Sequence, residues 1–253
     1  MPGNDLSDHW QHREDAGPDV VATTAQGVGV KPGYGGYPLY QLVHLDLVQL
    51  RQQNVLAAAG RLATDGGNLA NAFATLPRPK QAAVAVELCR LTSVFADVGT
   101  VPTGGGRHWL RFQDRWSDAW YTPDEVSDGT ILLLAYLLLQ HQTPPVDVIA
   151  IEEPDRGLHP YLMGQLVTLL RAMSEGKIGG RPVQILLATH SPELLDHLRP
   201  EEVRFVSRDR NDGAVQVTGI APNDPQWEAA FKEYRESLGS VWLAGGLGGV
   251  PGE

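Results

Sequence analysis

Hydrophobic periodicity is weak in the first part of the chain and strong in the second. Residues 1–38 are rich in Gly, Pro, Asp and His, a composition that predicts a flexible segment. Order is expected to begin near Leu39. The pattern over 39–50 fits either a strand or a short mixed element, and it does not decide between them.

Helices and antiparallel strands are predicted for the next stretch. Apolar residues at helical spacing predict helices over 68–76 and 81–94, with Phe95 on the apolar face of the second. Short strands are predicted over 108–113 and near 119–122. A run of three glycines precedes both strands and favours an antiparallel meander.

The pattern from residue 127 onward is typical of a βαβ unit. Ser127 can cap a helix with its body at 131–140. The apolar runs 146–151 and 183–188 are suited to buried parallel strands, and a helix beginning at Pro160 lies between them. A right-handed crossover is therefore expected.

The remaining elements are shorter. A helix is predicted over 192–198, and strands at 203–206 and 214–218 predict a hairpin. Residues 224–238 fit a further helix, and the glycine-rich residues after it are expected to be irregular.

Composition narrows the function classes. The net charge of −10 makes the chain a poor DNA binder by itself, because duplex affinity depends on basic residues that neutralise phosphates. Cys89 is the single cysteine, so an intrachain disulfide is excluded and a reducing cytoplasm fits. The first 20 residues lack the apolar core of a signal peptide, and the longest apolar run, 131–139, is too short to span a bilayer.

Three short motifs carry the candidate chemistry. Glu152 and Glu153 follow a predicted strand, where one carboxylate could bind Mg²⁺ and the next could polarise a water molecule. His190 follows the next strand and could donate a hydrogen bond to a γ-phosphate. Ser127 and Gly129 lie at a helix start, where backbone N–H groups attract anions.

Each motif also has a simpler interpretation. The two glutamates could be solvated carboxylates at a strand end. The histidine could close its strand, with Ser191 capping the helix that follows. The 127–130 stretch could be an ordinary helix cap.

The order of the three motifs resembles the ABC-type ATPases of the RecF, SMC and OLD group, often labelled AAA-family ATPases. The stretches that carry the resemblance are "SDGT", "VIAIEEPDRGLHP" and "ILLATHSPELLD". The segments 65–76 and 238–252 are also similar in style, so the resemblance extends from about Leu39 to the C-terminus.

The resemblance implies a role for each matched residue. Ser127, Asp128 and Gly129 match the signature motif, which serves the nucleotide of an opposite head. Glu152 matches the Mg²⁺-linked residue of Walker B, and Glu153 matches the catalytic glutamate. The two remaining matches are Asp155, which belongs to the D-loop and would contact the cofactor, and His190, which matches the catalytic switch histidine.

Two substitutions depart from the common family pattern. Glu152 stands where many members have Asp, and Asp128 stands where many have Gly. An acidic Asp128 is an unexpected neighbour for a phosphate, so Ser127 and backbone N–H groups are expected to make that contact.

A larger departure is the lack of a phosphate-binding loop of the form G-x-x-x-x-G-K-[ST]. Such a loop wraps phosphates with backbone N–H groups and reaches them with a lysine. The lysines are Lys31, Lys80, Lys177 and Lys232, and none completes the pattern. The expectation is an ATPase head whose N-terminal lobe is truncated or encoded separately.

The predicted fold class is α/β: a partial P-loop NTPase head of ABC type with a mainly parallel sheet, flanking helices and an antiparallel β portion. Its expected parts are a flexible segment (1–38), a mixed helical and antiparallel portion (39–126), the ATPase core (127–223) and a C-terminal helix with a glycine-rich tail (224–253).

Three hypotheses about function stay open at this level. The first is an ATPase that uses ATP and Mg²⁺ once a Walker A lobe is supplied. The second is a non-catalytic module that lends its signature to a partner ATPase, and the third is an inactive structural fragment. The expected partner is a second head, either a homodimer mate or a Walker A-bearing protein. DNA contact is expected only through the full assembly, membrane contact is not expected, and the location is expected to be cytoplasmic.

Overall fold

The structure is a computed structural model that describes residues 20–23, 39–209, 211–220, 229, 231–233 and 237–244. The strands are β1 Val20–Thr23, β2 Tyr40–Val43, β3 Asn54–Val55, β4 Phe95–Gly104, β5 Arg107–Asp114, β6 Trp120–Tyr121, β7 Val148–Glu152, β8 Gln184–Thr189, β9 Val203–Arg208 and β10 Val215–Gly219. The helices are α1 Leu47–Leu50, α2 Leu69–Thr75, α3 Arg78–Thr92, α4 Asp128–Leu139, α5 Pro160–Ser174, α6 Pro192–Leu195 and α7 Leu238–Leu243, with 3₁₀ turns at Pro123–Glu125 and Pro200–Glu202.

The larger sheet has the strand order β10-β9-β1-β8-β7-β2. Its parallel part is β2-β7-β8, in which β7 pairs with β2 on one side and with β8 on the other. The pairings of β1 with β8, β1 with β9, and β9 with β10 are antiparallel. The predicted βαβ unit is confirmed, since α5 connects the parallel neighbours β7 and β8.

The second sheet contains β3-β5-β4, with β6 also paired to β5. All of these pairings are antiparallel, as the glycine turn and the short strand patterns predicted. The α/β fold class with flanking helices and an antiparallel portion is therefore confirmed. The larger sheet is mixed and not mainly parallel, since three of its five strand pairings among the described residues are antiparallel.

Helix α4 lies in the middle of the core. Every residue from Gly129 to Leu139 is buried, so the helix is covered on all sides. Such a helix is hydrophobic all round and carries no amphipathic stripe. Ser127 caps its N-terminus, and the Ser127 hydroxyl accepts a hydrogen bond from the Thr130 amide, as predicted.

Two predictions from the sequence are wrong. Residues Val20–Thr23 lie in the segment predicted to be flexible, yet they form β1 between β8 and β9. Phe95 begins strand β4 and does not belong to the preceding helix. Helix α3 ends at Thr92 because Ser93 adopts a left-handed conformation with φ 59°, which redirects the chain.

Several of the remaining predictions concern segments that lie partly outside the described residues. Apart from β1, residues 1–38 lie there, and so do most of the 224–238 stretch and the glycine-rich end. The hairpin of β9 and β10 is confirmed. The helix at 192–198 is shorter than predicted and ends at Leu195.

Candidate functional site

The carboxyl ends of three parallel strands bring the candidate residues to one edge of the larger sheet. Val43 at the end of β2 is level with Ile151 of β7, and Glu152 is level with Ala188 of β8. His44, Glu153 and His190 are therefore among the residues that continue the chain from this edge. The carboxyl edge is where α/β sheets bind their ligands.

Glu152 ends β7 and contacts the neighbouring strand end. Its Oε2 atom is 2.9 Å from Nδ1 of His44, the residue that follows β2. The side chains of His44 and Glu152 are 40% and 37% exposed, so a ligand could reach the pair from solvent. His44 was not singled out from the sequence, because its partner is 108 residues away.

Glu153 has an unusual backbone conformation. Its φ of 47° is in the left-handed region, which non-glycine residues seldom adopt. The Glu153 amide donates to the carbonyl of Ala188 at 2.8 Å, and its own carbonyl accepts from the Arg156 amide at 3.1 Å. The chain therefore turns sharply immediately after the strand. Such strain is concentrated at functional sites, where the surrounding structure maintains it.

A hydrogen bond connects the turn after β7 to the end of β8. The Thr189 hydroxyl is 2.5 Å from Oδ1 of Asp155 and also accepts from the Ser191 amide at 3.0 Å. Thr189 is buried, whereas His190 next to it is exposed. Asp155 thus already has a protein partner, and its observed contact holds the two strand ends together.

Tyr136 contacts the same turn from the buried helix α4. This side chain of α4 is buried, and its hydroxyl donates to the carbonyl of Pro154 at 3.3 Å. Burial raises the pKa of Tyr136, and the negative charge of Asp155 raises it further. Tyr136 therefore stays protonated and remains a donor at physiological pH.

The residues that the sequence predicted to form a signature motif lie at the N-terminus of α4. Ser127 and Asp128 are exposed, whereas Gly129 and Thr130 are buried. The hydroxyls of Ser127 and Thr130 are 2.9 Å apart. Oδ1 of Asp128 is 2.6 Å from Nη2 of Arg51, the residue that follows α1. Arg51 was not singled out from the sequence either.

The turn after β7 packs against this helix terminus. A Cβ on Gly157 would lie 3.2 Å from Cδ1 of Leu132 and 3.6 Å from Cβ of Asp128, and Gly157 has a φ of 79°. A Cβ on Gly129 would lie 3.1 Å from Cδ1 of Leu162. The N-terminus of α4 and the turn after β7 are therefore packed against each other within the same chain.

The residues at this edge are compatible with Mg²⁺. Within the described ranges, no group of three or more His, Cys, Asp or Glu side chains is arranged to hold a metal ion. Mg²⁺ does not need such a cage, because it commonly keeps several waters and binds one or two carboxylates together with substrate phosphates. Glu152 lies at the strand end with a half-buried side chain, and its carboxylate has the chemistry for that role.

Comparisons with known proteins find similarity over part of the chain. Residues 75–196 match the family model described as "AAA domain, putative AbiEii toxin, Type IV TA system". A stretch of 109 residues is 32% identical to an OLD nuclease of Thermus scotoductus and covers 42% of this chain. The chain matches about a fifth (20%) of the length of that relative.

These matches confirm the coarser part of the resemblance, namely similarity to an AAA-type domain and to an OLD protein. The matched family region includes the 127–130, 152–153 and 189–192 motifs. Among the described residues, no helix combines the length and the hydrophobicity that crossing a bilayer requires.

Proposed function

We propose that this chain provides the signature, Walker B and switch-histidine parts of an ATP-hydrolysing head of AAA or ABC type. The observation that carries the proposal is the parallel register of β7 and β8, with Glu152 level with Ala188. It makes the acidic pair and the Thr189-His190 pair neighbours at one edge. The strained turn at Glu153 and the family match over 75–196 support it.

Each residue has a defined task in this proposal. Glu152 would hold Mg²⁺, which supplies charge neutralisation for the phosphates when bound. Glu153 orients the attacking water in line with the γ-phosphate, and His190 donates a hydrogen bond to that phosphate. Ser127 and the N-terminal amides of α4 face the nucleotide held by a second head.

The phosphate-binding loop is the part that these residues do not supply. No stretch of the 253 residues has the form G-x-x-x-x-G-K-[ST], so residues outside them must supply the loop. We infer that the second head or a Walker A-bearing protein is the partner. Its ATP-dependent docking would couple hydrolysis to a conformational switch. With its net charge of −10, the chain would reach DNA only through that assembly.

A second candidate is a non-catalytic module that lends its signature to a partner ATPase. The exposure of Ser127 and Asp128 favours it, because these residues could contact a partner without any contribution from the strand ends. The two candidates differ in whether Glu153 affects turnover.

Nucleotide titration and ATP hydrolysis separate the candidates. The chain alone should bind a fluorescent ATP analogue more weakly than micromolar and hydrolyse ATP slowly or not at all. Hydrolysis should appear with the polypeptide that carries the loop, and Glu153→Gln should abolish it while binding persists. Glu175→Gln, at the end of α5, is the matched control and should leave hydrolysis unchanged.

Two results would count against this proposal. Micromolar binding by the chain alone would show that its own residues hold the phosphates. Unchanged hydrolysis in the Glu153→Gln assembly would remove the catalytic role and favour the module that lends its signature.

A further inference from the structure

We propose that Arg51 is a positioning residue of the signature, which cancels the charge of Asp128 so that the N-terminus of α4 can face a phosphate. This inference rests on the proposed function, because it concerns the same anion-facing terminus. It resolves the difficulty that Asp128 creates, since an unpaired carboxylate beside Ser127 would repel a nucleotide phosphate.

The contact geometry supports a fixed ion pair. Nη2 of Arg51 is 2.6 Å from Oδ1 of Asp128 and 3.1 Å from the carbonyl of Val126, the residue before the helix cap. The same amino group therefore contacts both residues that flank Ser127 in the sequence. Arginine stays charged at all physiological pH values, so the cancellation is permanent.

Arg51 is anchored before it reaches the signature. It follows α1, and its carbonyl accepts a hydrogen bond from Nε1 of Trp109 in β5 at 2.7 Å. Its side chain is only 18% exposed. Its Nη1 atom is buried and has no hydrogen-bond partner among the described residues. Burying an unsatisfied donor is unfavourable, so this side of the guanidinium adds no stability of its own.

The carboxylate side of the pair is open. Asp128 is 49% exposed, so the paired charges face solvent at the point where a second head would dock. The hydroxyl and amide of Thr130 are both engaged with Ser127. An incoming phosphate would therefore meet a preorganised terminus with almost no net side-chain charge.

The alternative is a purely structural role, in which Arg51 only holds two loops together. The two roles differ in how they respond to neutralisation of Asp128. If Arg51 acts through charge, removing the charge of Asp128 should compensate for losing Arg51. If Arg51 acts as a brace, no such rescue is expected, because Asn at 128 replaces neither contact.

The test is a titration of the ¹⁵N-labelled full chain with inorganic triphosphate, following the backbone amides of residues 127–130. The wild type should show saturating shifts. Arg51→Gln removes the guanidinium and its charge and should weaken the apparent affinity roughly tenfold or more. Arg51→Gln with Asp128→Asn should restore affinity to within about threefold of wild type.

The control is Lys177→Gln, which removes a cation from an exposed ion pair just past the C-terminal end of α5 and should leave both the fold and triphosphate affinity unchanged. The inference is overturned if the wild-type amides do not shift, if Arg51→Gln binds like wild type, or if the double variant stays as weak as the single one. A chain that binds triphosphate in this Arg51-dependent manner yet supports no ATP hydrolysis sustains the inference and contradicts only the proposed enzyme activity.

Discussion

In two arginine–carboxylate pairs of this protein the arginines are buried to the same extent, but the carboxylates differ in their exposure to solvent. The side chain of Arg171 is 19% exposed and that of Arg51 is 18% exposed. Glu202, the partner of Arg171, is 10% exposed, whereas Asp128, the partner of Arg51, is 49% exposed. Arg171 uses two nitrogens, Nε at 3.0 Å and Nη2 at 2.7 Å, whereas Arg51 uses one.

The difference in carboxylate exposure and in the number of contacts indicates different roles for the two pairs. A two-point contact with both partners enclosed is a structural link, here between α5 and the 3₁₀ turn before β9. A one-point contact that leaves the carboxylate open gives up stabilisation, since exposed pairs contribute little. Its location at the N-terminus of α4, the terminus proposed to face a nucleotide, therefore fits the proposed role in recognition.

The largest effect is expected at the structural pair. Arg171→Ala should lower the free energy of unfolding by about 3–5 kcal/mol, because it leaves Glu202 enclosed without its cation. Urea denaturation measures this value. Adding Glu202→Gln should recover part of the loss. A loss below about 1 kcal/mol would mean that the pair is not structural and would remove the contrast.

The next effect is expected at Gly157, in the turn after β7 that packs against the N-terminal part of α4. Gly157→Ala should destabilise the chain by about 1–3 kcal/mol, because φ is 79° and the new Cβ would contact Leu132. Gly180→Ala is a matched control, since φ is 82° there but no atom lies within 4 Å. The additional loss of stability at Gly157, compared with Gly180, measures how tightly the turn after β7 packs against α4. Equal losses at the two glycines would show that only backbone strain matters.

A smaller effect on stability is expected at the Arg51–Asp128 pair. Arg51→Gln should cost about 1 kcal/mol or less in urea denaturation, because Asp128 can be solvated after its partner is lost. The same variant should nevertheless bind triphosphate roughly tenfold or more weakly than wild type. A loss of stability comparable to that of Arg171→Ala would make Arg51 a structural residue as well.

The smallest effect is expected on the acid side of the stability profile. Burial raises the pKa of Glu202, but hydrogen bonds from Arg171 and the Arg199 amide outweigh it and hold the pKa below the ordinary 4.5. The pair therefore contributes its full stability above about pH 4.5 and loses it as pH falls through the lower folded-state pKa. The urea midpoint of the wild type should fall as the pH is lowered from about 5 to about 3, and it should fall less steeply in Glu202→Gln. An equally steep fall in the variant would contradict this prediction.

The sequence predicted those parts of the fold that have local signals. Ser127 and Pro160 mark helix starts by their own chemistry, and the apolar runs around β7 and β8 are typical of buried parallel strands. The neighbouring ends of these strands, and with them the Glu152-Glu153 and Thr189-His190 pairs, were therefore predictable.

The rest depends on distant contacts that leave no local pattern. Strand β1 pairs with residues more than 160 positions away, and its own segment is rich in Gly and Pro. Arg51 and Asp128 are 77 residues apart, and His44 and Glu152 are 108 apart. No spacing rule connects such residues, so the partners of both acidic groups became visible only in the structure.

The central claim is that the ends of β7 and β8 form one site that acts on one phosphate. The direct test is ATP turnover by Glu153→Gln, His190→Ala and the double variant in the assembly that includes the phosphate-binding loop. Residues acting on the same transition state are strongly non-additive, so the double variant should be no slower than Glu153→Gln alone. A double variant slowed by the product of the two separate factors would contradict the claim, because the two residues would then act independently.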